Sequence, residues 1–421
     1  MPSPQGVSFR EPFDRWFRYP AGFSQSTLQR CFEAASIKAG GTVVDPFAGV
    51  ASAGTFAIAR SLAFRGLEAH PMIAELAQAK FARPADGKSL LDTAKLLVSG
   101  LVPATLDQEV DLVRRCFSPD TLGELAAIRN RILSSRSQWQ VHLKWALLAT
   151  LREHARVKVG WPHQRPAIPR HPTYREPIRR FLARVANMGL DLDSRGSGDG
   201  IVLVGDSRNH TSWRSVLGRS RADACISSPP YLNNFDYADA TRLELYFWGF
   251  ARTWGEMCKL VRAGMVTATT QQSSLGQSNS AVRRLARSPR THRWVADLTH
   301  QLSEARRAHG PGSKRYDRVL PAYFADMSDV LRLTYRHIKP GAKCAWVIGD
   351  SAPYGVYLDT PSALMRLAED LGFVSLSDVV LRSRGLRWRS NGMRHKVPLA
   401  ERLIVFERPN HQARPRSPLS V

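Results

Sequence analysis

The chain has 421 residues, of which 43% are hydrophobic and 9% aromatic, a composition typical of a globular protein. Its 60 Lys and Arg against 36 Asp and Glu give a net charge of +24, which favours nucleic-acid partners; solvated basic faces in an arginine-rich protein are the alternative interpretation. No apolar run approaches the roughly 20 residues of a membrane span, and no signal-peptide pattern is present. The five cysteines form no CxxC pair, so we expect neither zinc knuckles nor disulfides, and a reducing cytoplasmic location.

Short apolar runs alternate with helical segments in the first and last parts of the chain. The predicted strands span 41–45, 63–68, 201–206, 222–227, 344–350, 373–381 and 402–406. The predicted helices between them span 53–61, 71–81, 239–250, 322–337 and 360–371. This alternation favours an α/β fold with a mostly parallel sheet covered on both faces, and ligands of such sheets bind beyond the carboxyl ends of the strands.

Two blocks depart from this alternation. The first, 82–200, has predicted helices at 106–115, 121–133, 138–157 and 174–188, a proline-rich basic stretch at 161–172, and a flexible joint at 195–200. The second, 253–316, is basic and contains an arginine cluster close to Trp294. The members of this cluster are Arg283, Arg284, Arg287, Arg290 and Arg293.

A glycine-containing loop follows the first predicted strand and opens a helix. It runs from Asp45 to Gly54 with the sequence DPFAGVASAG, and Gly49 and Gly54 allow the backbone to approach a ligand closely. A strand-to-helix loop is the position for a cofactor with a ribose and a polar tail. The loop is not GxGxxG and lacks the Lys-Ser/Thr of a P-loop, so nucleoside triphosphate binding is disfavoured.

Acidic residues stand at the ends of the next two predicted strands. Glu68 follows the glycine loop by about twenty residues, the spacing at which a carboxylate accepts both ribose hydroxyls. Asp206 ends the third strand and is expected to accept from an adenine amine. Each acid alone is an ordinary strand-end cap, but with Asp45 they predict an adenosine pocket.

A second unusual motif, Ser228-Pro229-Pro230-Tyr231, ends the fourth predicted strand. The Ser228 hydroxyl and the Pro229 carbonyl form a matched acceptor pair for an amine, and Tyr231 offers a ring face for a base taken from its stack. The alternatives are a plain loop or a WW-domain ligand, and the latter requires a residue between the prolines and the tyrosine.

Together these motifs resemble the S-adenosylmethionine-dependent amino-methyltransferases of the DNA N4-cytosine/N6-adenine group. The segment 45–49 is similar to that group's D-P-F-x-G-x-G loop, with Ala51 in place of the second glycine, and 228–231 is similar to its catalytic motif in the serine form often associated with N4-cytosine enzymes. The segment 18–23 resembles the one that closes over the cofactor's methionine end, and 232–237 and 243–245 resemble a branch of these enzymes.

The resemblance implies a seven-stranded, mostly parallel Rossmann-like methyltransferase sheet with helical insertions. It implies S-adenosylmethionine as cofactor and no metal. The implied cofactor-binding residues are Tyr19, Asp45, Phe47, Gly49, Gly54, Glu68, Asp206 and Ser207. The implied catalytic residues are Ser228, Pro229, Pro230 and Tyr231, and the substrate-binding residues are Asn233, Asp236, Arg384 and Arg387.

The expected organisation follows from these assignments. The methyltransferase domain is expected to consist of a cofactor-binding part (1–81), a catalytic part (201–252) and a C-terminal part (318–408). Two insertions separate these parts, 82–200 and 253–317, and a basic tail spans 409–421. The first insertion is the candidate target-recognition region; the arginine cluster at 283–293 is its rival. A third basic stretch, 382–396, includes Trp388 and is expected to line the DNA channel.

The expected partner is double-stranded DNA with the target base flipped out, together with a partner nuclease or defence-system subunits. The expected reaction methylates cytosine N4; the alternatives are adenine N6, an RNA amino-methyltransferase, and a non-catalytic nucleic-acid-binding relative. The net charge disfavours small-molecule and protein substrates. A C5-cytosine enzyme is disfavoured because Cys225 lies inside a predicted strand and not in a strand-end Pro-Cys pair.

Overall fold

The computed structural model describes residues 11–19, 23–83, 86–159, 165–171, 175–232, 238–268, 274–310, 312–384 and 398–410. Within these residues, nine strands are present: β1 Thr42–Asp45, β2 Ala63–Glu68, β3 Val157–Lys158, β4 Arg165–Pro169, β5 Gly200–Val204, β6 Ala222–Ser227, β7 Ile338–Gly349, β8 Val374–Arg384 and β9 Leu399–Glu407.

Seven of these strands form one sheet in the order β5-β2-β1-β6-β7-β9-β8. The pairs β1–β2, β1–β6, β2–β5 and β6–β7 are parallel, and β9 runs antiparallel to both β7 and β8. The predicted seven-stranded, mostly parallel Rossmann-like sheet is therefore confirmed. The remaining strands, β3 and β4, form a separate two-stranded ribbon.

Helices cover both faces of the sheet and build the insertions. Their bounds are α1 Gln25–Ala35, α2 Ser52–Ile58, α3 Pro71–Ala79, α4 Gly87–Val98, α5 Asp111–Arg115, α6 Pro119–Ser134, α7 Gln140–His154, α8 Pro177–Asp193, α9 His210–Leu217, α10 Arg242–Trp248, α11 Trp254–Arg262, α12 Leu275–Leu285, α13 Pro289–Ala308, α14 Tyr316–His337 and α15 Thr360–Asp370. Short 3₁₀ turns span Asp14–Trp16, Asp239–Thr241 and Pro353–Gly355. No helix in the described part of the chain is long and apolar enough to cross a membrane.

The central strands are apolar because helices bury them from both sides. Val43 and Ala224 pack in a core with α1, α2 and α3, while Val44 and Cys225 pack in a second core with α9, α14 and α15. All four side chains are fully buried. Adjacent residues on a strand face opposite sides of a sheet, so a strand covered on both faces reads as a continuous apolar run.

The first insertion is helical. Helix α4 packs against α8, α7 packs against α6 and α8, and α7 also contacts α3 beside the sheet. The predicted helix at 106–115 is shorter in the structure, where only α5 remains, because the backbone at Val110 is extended, with a ψ of 140°. In the second insertion, α12 and α13 pack on α14.

Three further expectations differ from the structure. The strand β7 begins at Ile338, which pairs with Ala222, and the predicted turn at 339–341 is an irregularity inside it that Gly341 accommodates with a φ of +76°. Helix α1 was not expected. The segment 195–200 is not an open joint: a Cβ on Gly196 would lie 2.3 Å from the Ile58 carbonyl oxygen, so the chain there packs closely on α2.

Gly54 lies inside α2, where its missing side chain serves packing. A Cβ at this position would lie 2.6 Å from a Phe64 ring atom and 2.7 Å from a Phe81 ring atom. The structure therefore places Gly54 between helix and sheet. Its missing side chain allows two aromatic rings, those of Phe64 and Phe81, to pack close to the helix backbone.

We expect Gly54→Ala to lower the free energy of unfolding by about 1–3 kcal/mol, since an overpacked core must move side chains or backbone. Gly276, inside α12, has open space at its Cβ position, so Gly276→Ala is the matched control and is expected to leave stability unchanged or raise it by up to about 1 kcal/mol. Denaturant unfolding measures both. Equal effects of the two substitutions would contradict the packing role.

Candidate active site

The glycine loop and the Ser-Pro-Pro-Tyr motif meet at one edge of the sheet. They follow β1 and β6, which are parallel neighbours with Val44 opposite Cys225. The Ser227 hydroxyl, one residue before the motif, donates to Asp45 Oδ1 at 2.5 Å. Two segments about 180 residues apart in sequence are thus hydrogen-bonded where their strands end.

The turn after β1 is shaped around the buried Asp45 carboxyl. Its Oδ1 also accepts from the Phe47 amide at 2.9 Å, and burial raises the pKa of Asp45 to about 7. Gly49 has a φ of +52°, and no atom lies closer than 4.0 Å to the place a Cβ would take. The turn therefore leaves an open cradle above its backbone, which fits the close approach of a ligand.

Ala51, at the position of the family's second glycine, adopts a left-handed conformation with φ +60° and ψ +40°. Its amide donates to the Ala48 carbonyl at 2.7 Å, so the turn keeps a closed shape. The left-handed region disfavours any residue with a Cβ, and alanine is the smallest such residue. The glycine-type turn is therefore retained despite the substitution.

Glu68 ends β2 and faces the same turn. Its carboxyl accepts from the Gly49 amide at 2.9 Å and from the His70 amide at 2.7 Å, and burial raises its pKa to about 7. The Ala69 amide also contacts this carboxyl, and a carboxylate with about four acceptor positions keeps room for a further donor. This set of donors and acceptors fits a diol such as the ribose of an adenosine cofactor.

Asp206 lies two residues beyond β5 and is already engaged. Both of its carboxylate oxygens accept from Arg208, which also forms an ion pair with Asp326 at 2.9 Å. The neighbouring Ser207 is buried, and its carbonyl accepts from the Trp213 indole. An adenine amine at Asp206 would therefore share this carboxylate with Arg208.

The N-terminal segment, residues 11–19, lies against the glycine loop. The Ser52 hydroxyl donates to Asp14 at 2.9 Å, and the Lys80 ammonium donates to the Val50 carbonyl at 2.5 Å and lies 4.0 Å from Asp14. Lys80 is only 1% exposed, and burial lowers its pKa to about 8. Tyr19 is buried in the cluster that also contains Val50.

Sequence reasoning missed this polar cluster. A second buried carboxylate, Asp191 of α8, accepts from the Phe13 amide at 2.8 Å, the Trp16 indole at 2.9 Å and the Arg15 guanidinium. These partners are more than 170 residues away in sequence. A helical aspartate between two leucines carries no local signal of such a role.

The tyrosine of the Ser-Pro-Pro-Tyr motif is buried. Ser228 and Pro230 are half-buried and Pro229 is buried. The Tyr231 hydroxyl donates to Glu401 of β9 at 2.7 Å and is also hydrogen-bonded to Ser228. Burial, together with the Glu401 carboxyl, raises the pKa of Tyr231 well above its ordinary value, so the phenol remains a neutral donor.

Arg384 covers a face of the Tyr231 ring. Its guanidinium carbon lies 4.7 Å from the ring centroid, and a Cβ on Gly349 would lie 1.9 Å from Arg384 and 3.0 Å from Tyr231. The ring is 9% exposed in consequence. The structure brings the predicted substrate residue Arg384 to the catalytic motif, and it adds Glu401, which no sequence pattern indicated.

The remaining expected substrate residues, Asn233, Asp236 and Arg387, lie outside the described residues. β8 ends at Arg384, which stacks on Tyr231 and pairs with Leu399 at the start of β9. In the rival arginine cluster, Arg284 forms ion pairs with Asp326 and Asp329, and Arg290 pairs with Asp370. These two arginines thus neutralise acids of α14 and α15.

No family model matches the chain. A curated relative, the type II methyltransferase M.BsoBI of Geobacillus stearothermophilus, is 21% identical over 437 residues, covering 94% of this chain and 85% of the relative. The type II methyltransferase M.AvaI of Nostoc sp. (strain PCC 7120 / SAG 25.82 / UTEX 2576) is 25% identical over 192 residues, covering 44% of this chain and 38% of that protein.

Two solved structures are also similar. The rRNA methyltransferase aviRa from Streptomyces viridochromogenes has 11% identity and a TM-score of 0.30, with 95% of this chain and 86% of that chain covered. TrmN from Thermus thermophilus has 11% identity and a TM-score of 0.29, with 90% of this chain and 48% of that chain covered. The sequence similarity to M.BsoBI extends along nearly the whole chain, and the strand order and the two strand-end motifs support an S-adenosylmethionine-dependent amino-methyltransferase.

Proposed function

We propose that this protein is a site-specific DNA methyltransferase that methylates the exocyclic amine of a flipped base, with cytosine N4 as its target. The observation that carries the proposal is the hydrogen bond between Ser227 and Asp45, which joins the catalytic strand end to the glycine turn. The net charge of +24 and the type II methyltransferase relatives support DNA as the substrate. The serine form of the motif supports cytosine N4.

The cofactor site is proposed at the glycine turn. Gly49 offers the open cradle, Glu68 accepts the ribose hydroxyls, and the 11–19 segment with Tyr19 borders the loop. Phe47 is half-buried and packs beside the second core of the sheet. Asp206 and Ser207 are proposed to border the adenine, with Arg208 sharing the Asp206 carboxylate. S-adenosylmethionine, when bound, supplies an electrophilic methyl group on its sulfonium sulfur.

Residues at the catalytic motif are proposed to hold the target amine. The Ser228 hydroxyl and the Pro229 carbonyl accept its two hydrogens, which localises the nitrogen lone pair that is otherwise conjugated into the base ring. With its lone pair free, the nitrogen would be able to accept the methyl group that S-adenosylmethionine would supply, and S-adenosylhomocysteine would be the leaving product. The cationic amine loses its proton to water beside Ser228 or to Asp236, and positioning supplies most of the rate.

Tyr231 is proposed to stack on the flipped base, and Arg384 must then leave its ring. A guanidinium is planar, and its attraction to an aromatic ring contributes about 0.5–2 kcal/mol, so the incoming base can replace it. Arg384 is the last described residue of β8 before the basic stretch, and its displaced charge is proposed to bind a backbone phosphate together with Arg387.

The first insertion is proposed to read the DNA sequence. Its arginines Arg129 and Arg152 bond to residues of or next to α10, the helix that follows the catalytic motif, so the insertion borders the catalytic side of the sheet. The β8–β9 basic stretch is proposed to contact the DNA near the flipped base.

The ionisation of Glu68 is expected to control cofactor affinity. Its pKa of about 7 lies above the ordinary glutamate value, so the folded protein binds its proton more tightly than the unfolded chain does. Ionisation therefore opposes folding as pH rises from about 4 to 7, and it creates the charged acceptor that ribose hydroxyls favour. Cofactor affinity should rise up to roughly tenfold between pH 6 and pH 8.

Calorimetry across this range checks the expectation, with Glu68→Gln as the matched variant. The glutamine side chain keeps the shape without the charge, so it should bind the cofactor weakly and lose most of the pH dependence; Asp45, also with a pKa of about 7, accounts for the remainder. An unchanged pH profile in Glu68→Gln would show that this carboxyl does not contact the cofactor.

The proposed reaction is tested with purified protein, tritiated S-adenosylmethionine, and unmethylated duplex DNA or RNA. Nucleosides from the labelled product are separated and identified by mass spectrometry. N4-methylcytosine in DNA is the expected product. N6-methyladenine would move the target to adenine at the same site, label in RNA alone would replace DNA as the substrate, and no label would refute the enzymatic proposal.

A further inference from the structure

One arginine of the first insertion contacts both sides of the active site. Arg152, on α7, donates from Nη1 to the Arg18 carbonyl at 2.6 Å and from Nη2 to the Ala240 carbonyl at 2.6 Å. Its Nε donates to Glu244, and its guanidinium lies 4.0 Å from the Phe17 ring centroid. The Arg152 side chain is 11% exposed and Glu244 is fully buried.

The first of these acceptors belongs to the cofactor side. Arg18 belongs to the 11–19 segment, in which Asp14 accepts from Ser52. Lys80 lies 4.0 Å from Asp14 and donates to the Val50 carbonyl of the glycine loop. A shift of the 11–19 segment therefore acts directly on the turn that holds Gly49.

The other acceptors belong to the catalytic side. Ala240 lies in the 3₁₀ turn Asp239–Thr241, and Glu244 lies in α10, both shortly after Tyr231 in sequence. A second link joins the same turn to the cofactor side, because His70 Nε2 lies 2.7 Å from the Thr241 hydroxyl while the His70 amide donates to Glu68 at 2.7 Å.

The chemistry of arginine suits this position. A guanidinium presents its donors in one rigid plane, so three acceptors bound to it hold a fixed relation to each other. Lysine has a compact charge without that fork and cannot reproduce the arrangement. If Arg152 served only as the partner of the buried Glu244, its other donors would not need protein acceptors. They bond instead to two backbone carbonyls, one on each side of the site.

We propose that Arg152 is a positioning residue that couples cofactor binding to the placement of the segment after the catalytic motif. This inference rests on the proposed function, since the Asp239–Thr241 turn follows the motif that is proposed to hold the target base. Bound cofactor fixes the 11–19 segment, which through Arg152 fixes the Asp239–Thr241 turn. By linkage, DNA that fixes the turn tightens cofactor binding by the same factor.

The test replaces the whole ion pair, because removal of Arg152 alone leaves a buried unpaired carboxylate. The double variant Arg152→Leu/Glu244→Met fills the space with apolar side chains and removes the fork. The matched control is Arg129→Leu/Glu109→Met: this pair is similarly buried, and Arg129 bonds to the Phe247 carbonyl of α10, but neither residue contacts the 11–19 segment in any described hydrogen bond. Arg152→Lys tests whether charge alone suffices.

The readouts are thermal unfolding, calorimetric affinity for S-adenosylhomocysteine, and the ratio of that affinity with and without a duplex carrying the sequence that the wild-type protein methylates. We expect the Arg152/Glu244 double variant to fold, to bind the cofactor product roughly tenfold more weakly, and to show an affinity ratio near one, with a lowered kcat. Arg152→Lys should behave in the same way, and the Arg129/Glu109 control should match the wild-type protein in affinity and ratio.

The inference would be overturned if the Arg152/Glu244 variant kept the wild-type cofactor affinity, affinity ratio and kcat. It would also be overturned if the Arg129/Glu109 control lost as much cofactor affinity as that variant. If the double variant fails to fold, Arg152→Lys, which keeps a charge beside Glu244, decides by the same readouts. A wild-type protein that binds the cofactor product but methylates no DNA would refute the proposed function, and the affinity comparison without DNA would still decide the role of Arg152.

Discussion

Tyr231→Ala is expected to lower kcat by up to about 100-fold while cofactor affinity stays unchanged, because the stacking of a flipped base on an aromatic ring contributes about 1–3 kcal/mol. Tyr231 belongs to the Ser-Pro-Pro-Tyr motif, and the polar groups recorded at its hydroxyl and ring are Ser228, Glu401 and Arg384, none of which belongs to the glycine turn. Labelled methyl transfer and calorimetry measure the two quantities separately.

Tyr231→Phe is the matched control for this result. It keeps the ring face and loses the hydroxyl, which is hydrogen-bonded to Glu401 and to Ser228, so part of the activity should remain. The bond to the Glu401 carboxyl alone contributes about 1.5–3 kcal/mol. Circular dichroism of both variants excludes general unfolding. Wild-type turnover in Tyr231→Ala would remove the stacking role from the account.

Asp45→Ala is expected to weaken cofactor binding by about 100-fold or more. It leaves the Phe47 amide and the Ser227 hydroxyl without their shared acceptor, and each unsatisfied buried donor costs about 1–3 kcal/mol. The turn that presents Gly49 then loses the group around which it is folded. Calorimetry with S-adenosylhomocysteine measures the loss.

Asp45→Asn separates acceptor geometry from charge. Burial raises the pKa of Asp45 to about 7, so the charged form is disfavoured in the folded protein and an isosteric neutral amide should fold well. Both donors bond to Oδ1, so the asparagine amide oxygen can keep both of them, but it carries less charge than a carboxylate. Affinity should therefore lie between that of the wild-type protein and Asp45→Ala. Unchanged affinity in Asp45→Ala would place the cofactor elsewhere.

The sheet could be predicted from the sequence because its strands are buried on both faces and read as short apolar runs. The carboxyl ends of parallel strands share one edge, so Asp45, Glu68 and Ser228 could be expected near each other before any coordinates. The pairing of β1 with β6, and the bond from Ser227 to Asp45, agree with that expectation.

Partners distant in sequence escaped prediction. Tyr231 and Glu401 are 170 residues apart, and Ser52 reaches Asp14 across 38 residues. No periodicity marks a carboxylate that will meet a tyrosine from another strand. The same limit applies to Gly54, since a glycine in a cofactor-type loop has the same letter whether it faces a ligand or, as here, two phenylalanine rings.

The roles of individual arginines could be interpreted only from the fold. A net positive charge predicts an attraction to polyanions, but not which side chains provide it. Arg152, Arg208 and Arg284 form partly or largely buried ion pairs with acids, so their first role lies inside the protein. Arg384, by contrast, lies on the Tyr231 ring at the end of β8.

The most direct test of the account is single-molecule sequencing of DNA from a methylation-free host that expresses either the wild-type chain or Ser228→Ala. The wild-type protein should modify an exocyclic amine, expected as cytosine N4, at one recurring sequence throughout the genome, and the Ser228→Ala protein should leave most of those sites unmodified. A genome without modified amines, or one methylated equally by both proteins, would contradict the claim that the glycine turn and the Ser-Pro-Pro-Tyr motif form one methyl-transfer site.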